Sequence, residues 1–193
     1  MEPRSQSGKA EQILTAAEIR MRRGGYDAVS FRDLASDVGI KSASVHYHFP
    51  QKADLGAALV HRYREKFLAQ LGAPDAPGES VPDRLGRLCR AYETAVVEEQ
   101  MICLCCVLGA ESQDLPEAVS SAVAGFFSSL LDWTERALAG RQPGTSAPDL
   151  HPAQVIAGLQ GAMILALATG ETEHFTQTAE GILARARAGQ PRL

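Results

Sequence analysis

Residues 31–49, FRDLASDVGIKSASVHYHF, constrain the fold more tightly than any other part of the chain. Leu34, Ala35 and Val38 recur at helical spacing, Gly39 stands where the chain must turn sharply, and a second apolar set, Ile40, Val45 and Phe49, follows at once. Two short helices joined by a tight turn form the helix-turn-helix pattern. Ser30, with Asp33 three residues on, supplies a start signal for the first helix: a hydroxyl oxygen for an orphan N–H and an acid that complements the dipole. The same pair would cap a helix in any helical domain, so the second helix carries more information. If it runs over about 41–49, a step of roughly 100° per residue puts Ser42, Ala43, His46 and Tyr47 on one face and Val45 with Phe49 on the other. Small residues let a helix enter a major groove, and Ser, His and Tyr offer donors to phosphates and base edges. A face that only had to be soluble would more often carry Glu and Lys.

The flanking residues read as support. A first helix over about 9–23 has the apolar stripe Ile13, Leu14, Ala17 and Met21 and ends at Gly24-Gly25. Arg20, Arg22 and Arg23 in its last turns favour the helix dipole and are also within reach of phosphates. Pro50 stops the second helix of the motif, and a fourth helix is expected over about 51–71, with Leu55, Leu59, Tyr63 and Phe67 as its core stripe. Lys52 lies in the first turn of that helix, where a cation gains nothing from the dipole, so a phosphate partner is the better explanation.

The run SFRDLASDVGIKSASVHYHFPQKADL resembles the amino-terminal motif of the TetR family of bacterial transcriptional repressors. It joins a glycine turn, an aromatic-rich end to the second helix, and a Phe49-Pro50-x-Lys52 connection into the next, in the right order and spacing. The resemblance covers about 9–71 by motif and the remainder by length and helical layout. It implies an all-α homodimer that binds a palindromic operator and releases it when a small ligand enters a second domain. Family members commonly read Ser-Lys-Gly where this chain has Lys41-Ser42-Ala43, and often carry tyrosine at the position of His46, so the operator sequence does not carry over. The expected DNA-binding set is Lys41, Ser42, Ala43, Ser44, His46, Tyr47, His48 and Lys52.

A length of 193 residues, 45% hydrophobic and 22% charged, suits one large or two small globular domains. The net charge of −4 would argue against nucleic acid if it were even, but residues 1–71 hold 11 Lys or Arg against 8 Asp or Glu, a net +3. Residues 72–193 hold 8 against 15, a net −7. A mildly basic head on an acidic body limits non-specific binding while keeping a local attractive patch. The Gly- and Pro-rich run 72–82, GAPDAPGESVP, is the candidate boundary between a DNA-binding domain, 1–71, and a helical regulatory and dimerisation domain, 72–193. No apolar segment follows a basic start at the amino terminus, which predicts a cytoplasmic protein. The most apolar run, about 155–168, is interrupted by Gln160 and falls short of the roughly 20 residues of a membrane span, so core or interface is expected there.

In the second part, helices are expected over about 83–100, 117–139, 152–169 and 172–188, with a loop over 140–151. Phe126, Phe127 and Trp133 make the second of these helices apolar enough to be buried or to line an effector cavity. MICLCCV, 101–107, places Cys103 and Cys106 on one helical face and Cys105 on another, and three readings are open for these thiols: packing, reactive sensing of an oxidant or electrophile, and metal binding. One helix cannot wrap three thiolates tetrahedrally round an ion, so no metal site is expected. Val155, Ile156, Leu159, Met163 and Leu167, opposite Phe175, Ile182 and Leu183, are expected to close a twofold four-helix interface. There is no phosphate-binding glycine loop, no G-x-S-x-G and no HExxH, so neither an enzyme nor a cofactor is expected. The leading reading is a ligand- or redox-responsive regulator; a constitutive DNA-binding protein and a thiol-dependent enzyme are the alternatives.

Overall fold

In the computed structural model, residues 4–139 and 150–188 are described; the expected loop over 140–151 falls almost wholly outside them. The described residues form helices and turns, with no strand among them. They group into two compact units, one of residues up to 65 with 104–126, the other of 66–103 with 127–188.

The first unit opens with α1, Arg4–Gly24, which begins five residues earlier than its apolar stripe required. Ile13, Leu14, Ala17 and Met21 are all buried. A 3₁₀ turn, Tyr26–Ala28, leads to α2, Phe31–Val38. Ser30 caps α2 as expected: its Oγ accepts the Asp33 N–H at 3.1 Å and donates to the Asp33 carboxylate at 2.6 Å. Gly39 closes α2 in the left-handed region at φ 68°, a conformation that glycine adopts without Cβ strain. Helix α3, Ser42–His48, follows, and α4, Lys52–Leu71, starts after Pro50 with the Asp54 carboxylate capping the Gln51 N–H at 3.0 Å. Short helix α6, Leu104–Ala110, and the part of α7, Glu117–Leu138, up to Phe126 complete this unit.

Ion pairs fix the angles between these helices. Arg20 of α1 grips Asp37 of α2 with both ends of its fork, at 2.6 and 3.0 Å. Arg62 of α4 reaches Glu11 at 2.8 Å and Glu18 at 2.6 Å on α1, while the buried Arg22 adds a 3.7 Å contact to Glu18. Burial of the Arg22 and Arg62 guanidinium groups is tolerable because each has a carboxylate partner.

In the second unit α5, Val81–Glu93, starts at a capping box in which Ser80 and Asp83 satisfy each other's backbone N–H groups. The single helix expected over 83–100 is not continuous. It passes at Thr94 into a π turn, Thr94–Glu98, with Glu99 N–H on the Thr94 carbonyl at 3.0 Å. Thr94, Val96 and Val97 lose χ1 freedom in an α-helix, and Glu98 and Glu99 oppose its dipole, so the regular form is weakest there. The turn ends at Gln100, the non-glycine residue with positive φ, 50°, among those described. Helices α8, Pro152–Thr169, and α9, Glu173–Ala188, pack on each other, and both touch α5.

The proline- and glycine-rich run 72–82 is stapled to this unit. Trp133 Nε1 donates to the Gly72 carbonyl at 2.7 Å, Arg87 binds the Ala73 carbonyl and the Glu79 carboxylate, and Arg136 pairs with Asp75 at 3.0 Å.

Two outcomes follow. A glycine at position 100 relieves the left-handed strain, so Gln100→Gly should raise stability by about 1 kcal/mol, seen as a higher urea midpoint at unchanged m; a lower midpoint would show that the glutamine side chain outweighs the strain. The second concerns Asp37, whose carboxyl the Arg20 guanidinium holds below the usual carboxylate range through its hydrogen bond and charge. A depressed folded value means that the pair's stabilisation is complete above the ordinary carboxylate range, about pH 4, and is lost as pH falls through the folded value. Asp37→Asn should therefore flatten the decline of the urea midpoint between about pH 4 and pH 2. Parallel curves for variant and wild type would remove the pair from the acid response.

Candidate nucleic-acid interface

Helix α3 is turned as its sequence requires. Val45 and Phe49 are buried, whereas Lys41, Ser42, Ala43, His46 and Tyr47 are exposed and Ser44 and His48 half-buried. Tyr47 is 71% exposed, a large ring that the protein leaves in solvent. The His46 ring stands edge-on to Phe31 at 4.7 Å, so the first residue of α2 sets the direction in which the imidazole projects. His48 lies edge-on to Tyr47 at 5.3 Å and tilted against Phe49 at 6.4 Å. The exposed face thus carries a cation, hydroxyl and imidazole donors and small side chains on one short surface.

Lys52 is not isolated. Its Nζ lies 3.3 Å from Asp27 Oδ1 and 4.3 Å from the centre of the Tyr26 ring. Burial, with Asp27 and Asp54 nearby, pushes the Tyr26 phenol up. An exposed ion pair of this kind is worth about 1 kcal/mol or less, small enough for a phosphate to compete. Of the three arginines in the last turns of α1, Arg20 is engaged with Asp37, Arg22 is buried beside Glu18, and Arg23 is exposed. Phe31 and Asp37 were not legible as interface-shaping residues, because their effect depends on contacts across 15 and 17 positions of sequence.

The thiol group changes character in three dimensions. Cys103 does not share a helical face with Cys106, because α6 begins at Leu104 and residues 101–103 between Gln100 and that helix are irregular. Its backbone N–H points at Met163 Sδ, 3.3 Å away, instead of entering a helical ladder. Cys103 and Cys105 are fully buried and Cys106 half-buried, and none of the four cysteines is in a disulfide. Burial holds the Cys89 thiol up at about 11. No cluster of three or more metal-ligating side chains occurs among the described residues.

The aromatic candidates are also engaged in packing. Phe126 is buried with its ring 5.8 Å from that of Tyr63, Phe127 is half-buried, and Trp133 spends its N–H on the Gly72 carbonyl. The expected interface stripe needs correction too. Val155, Ile156, Leu159, Met163, Phe175 and Ile182 are buried within the protomer, and Leu167 and Leu183 are half-buried. They face α5 and the α8–α9 contact, which consumes the apolar side that sequence periodicity had left without a partner. The outward face of α8 bears Ile164, 43% exposed, and Leu165, 55% exposed, with exposed Ala153, Ala157 and Ala168; the whole helix has no charged residue.

The model of a family described as bacterial regulatory proteins, tetR family, matches residues 13–59, which include α2 and α3. A solved TetR-family transcriptional regulator from Agrobacterium tumefaciens is 31% identical, with a TM-score of 0.82 over 94% of this chain and 98% of that one. A TetR transcriptional regulator from Legionella pneumophila is 29% identical, with a TM-score of 0.80 over 89% and 94%. The reduced form of E. coli NemR, 20% identical with a TM-score of 0.68 over 93% and 95%, shares the fold. No curated protein matches the chain. With the helix pair, its exposed face and a relative similar along nearly its full length, this chain belongs to the TetR family of bacterial transcriptional regulators.

Proposed function

We propose that the protein is a cytoplasmic, effector-responsive repressor that binds a palindromic operator as a homodimer. The observation that carries the DNA reading is the exposed face of α3, Ser42, Ala43, His46 and Tyr47, presented by a helix whose other side is locked by Val45 and Phe49. Lys41 and Lys52 supply the phosphate contacts, and residues 1–71 do the reading while 72–193 regulate and dimerise. The dimer is carried by the charge-free outer face of α8: Ile164 and Leu165 would be costly to leave in water, and the neighbouring alanines let a second helix approach closely. A twofold pair of subunits places its two recognition helices about one DNA turn, roughly 34–36 Å, apart. For a redox effector the half-buried Cys106 is the accessible thiol; the solved NemR relative, described as a reduced form, supports testing that branch.

Tyr47→Ala and His46→Ala should each cost about 1–3 kcal/mol in operator binding if bases are read, while Lys52→Ala should weaken all sequences alike and lower the salt slope by roughly one unit. Unchanged affinity in all three, measured by fluorescence anisotropy on the duplex protected upstream of the protein's own coding region, would remove α3 from the interface. For the dimer, Leu165 is the position to charge, since Leu159 is buried and its replacement would unfold the protomer. Leu165→Glu should sediment as a folded monomer at micromolar concentration; a persisting dimer would put the interface elsewhere. Hypochlorite or a quinone should release wild type from DNA and spare Cys106→Ser if thiol chemistry is the signal, and release of both alike would exclude Cys106.

A further inference from the structure

Glu111 follows directly after α6, at the helix end whose dipole disfavours an acid. Its carboxylate serves a different element. Oε2 accepts the backbone N–H of Tyr26 at 2.9 Å, a bond across 85 positions of sequence. Tyr26 opens the 3₁₀ turn between α1 and α2, so its N–H has no partner within that turn, and the capping position is Gly25, which has no side chain to offer. Gly25 itself sits at φ 78°, with its own N–H on the Met21 carbonyl at 2.9 Å, and a Cβ there would overlap the Glu111 carboxylate. The connector is therefore shaped round a carboxylate that comes from α6. Tyr26 is also the residue on whose ring Lys52 rests.

We propose that Glu111 is a positioning residue for DNA binding. By capping Tyr26 it fixes the connector that carries α2 and α3, together with the ring that orients Lys52, so that the placement of α6 is read out at the DNA-facing side chains. The DNA half of this statement rests on the reading of α3 and Lys52 given above; the capping half does not. A difference in α6 placement between two states of the protein then biases operator affinity only to the extent that this bond is made in one and lost in the other.

The test compares Glu111→Ala, which removes the acceptor, with Glu111→Gln, which keeps an acceptor oxygen. Amide exchange of the full-length, DNA-free protein should be faster at residues 25–38 in the alanine variant and close to wild type in the glutamine variant. Affinity for a duplex selected from a random pool by the wild-type protein should fall on the order of tenfold in the first and stay within about twofold in the second. Faster exchange spread evenly over the unit, α4 included, would be the signature of plain stability loss and would overturn the proposal, as would an alanine variant that exchanges and binds like wild type. If the wild-type protein selects no duplex, the DNA reading fails, and the exchange pattern still decides whether Glu111 holds the connector.

Discussion

The rotation of one seven-residue helix about its own axis decides what this protein can present to a partner, and that rotation is held by Val45 and Phe49. A helix of this length has no stability of its own in water, since nucleation is costly and isolated helices below about 12–15 residues are marginal. Lys41 gives it no side-chain cap either. Its form and its facing therefore come from burial of two apolar side chains and from the left-handed turn at Gly39 that sets where it begins. Once those are in place, Ser42, Ala43, His46 and Tyr47 have only one direction in which to point.

Around that short helix the protein uses charged clamps where a larger unit would use more apolar area. Arg20 with Asp37 and Arg62 with Glu11 and Glu18 tie α1 to its neighbours through bidentate or multiple contacts whose geometry is directional, unlike hydrophobic packing. These cations are consequently unavailable as general attractors for phosphate. The basic groups left on this side of the unit are few, the exposed Arg23, Arg32 and Lys41 and the half-buried, loosely held Lys52, which accords with a net charge of only +3 for residues 1–71.

What was legible in the sequence was local. The Ser30 and Asp33 cap, the turn at Gly39, the two faces of α3 and the stop at Pro50 each depend on residues within a few positions of one another, and each is found where the pattern put it. What was not legible depends on contacts far along the chain. Periodicity identified the apolar residues of α8 and α9 but could not say whether their partner was another subunit or α5, and six of the eight turn out to be core. The bond from the Trp133 N–H to the Gly72 carbonyl spans 61 positions, and no local pattern announces it. The cysteine run read as one helix because the left-handed residue before it, Gln100, is not a glycine and gave no turn signal.

Helix α6 shows the same division from the other side. Seven residues long, it is no more able than α3 to hold itself, and its place is set by the burial of Leu104, Cys105 and Leu108, with a long-range bond at Glu111 just beyond its end. In sequence it is bounded by a strained turn at Gln100 and by a carboxylate committed to Tyr26. Elements with few buried contacts and short length sit at the low end of the local stability range, where opening free energies are small and conformational change is least costly. The long helices α1, α4 and α7 are each held along more than five turns and α6 along fewer than two, so the bond between Glu111 and the connector is a larger share of what fixes this segment.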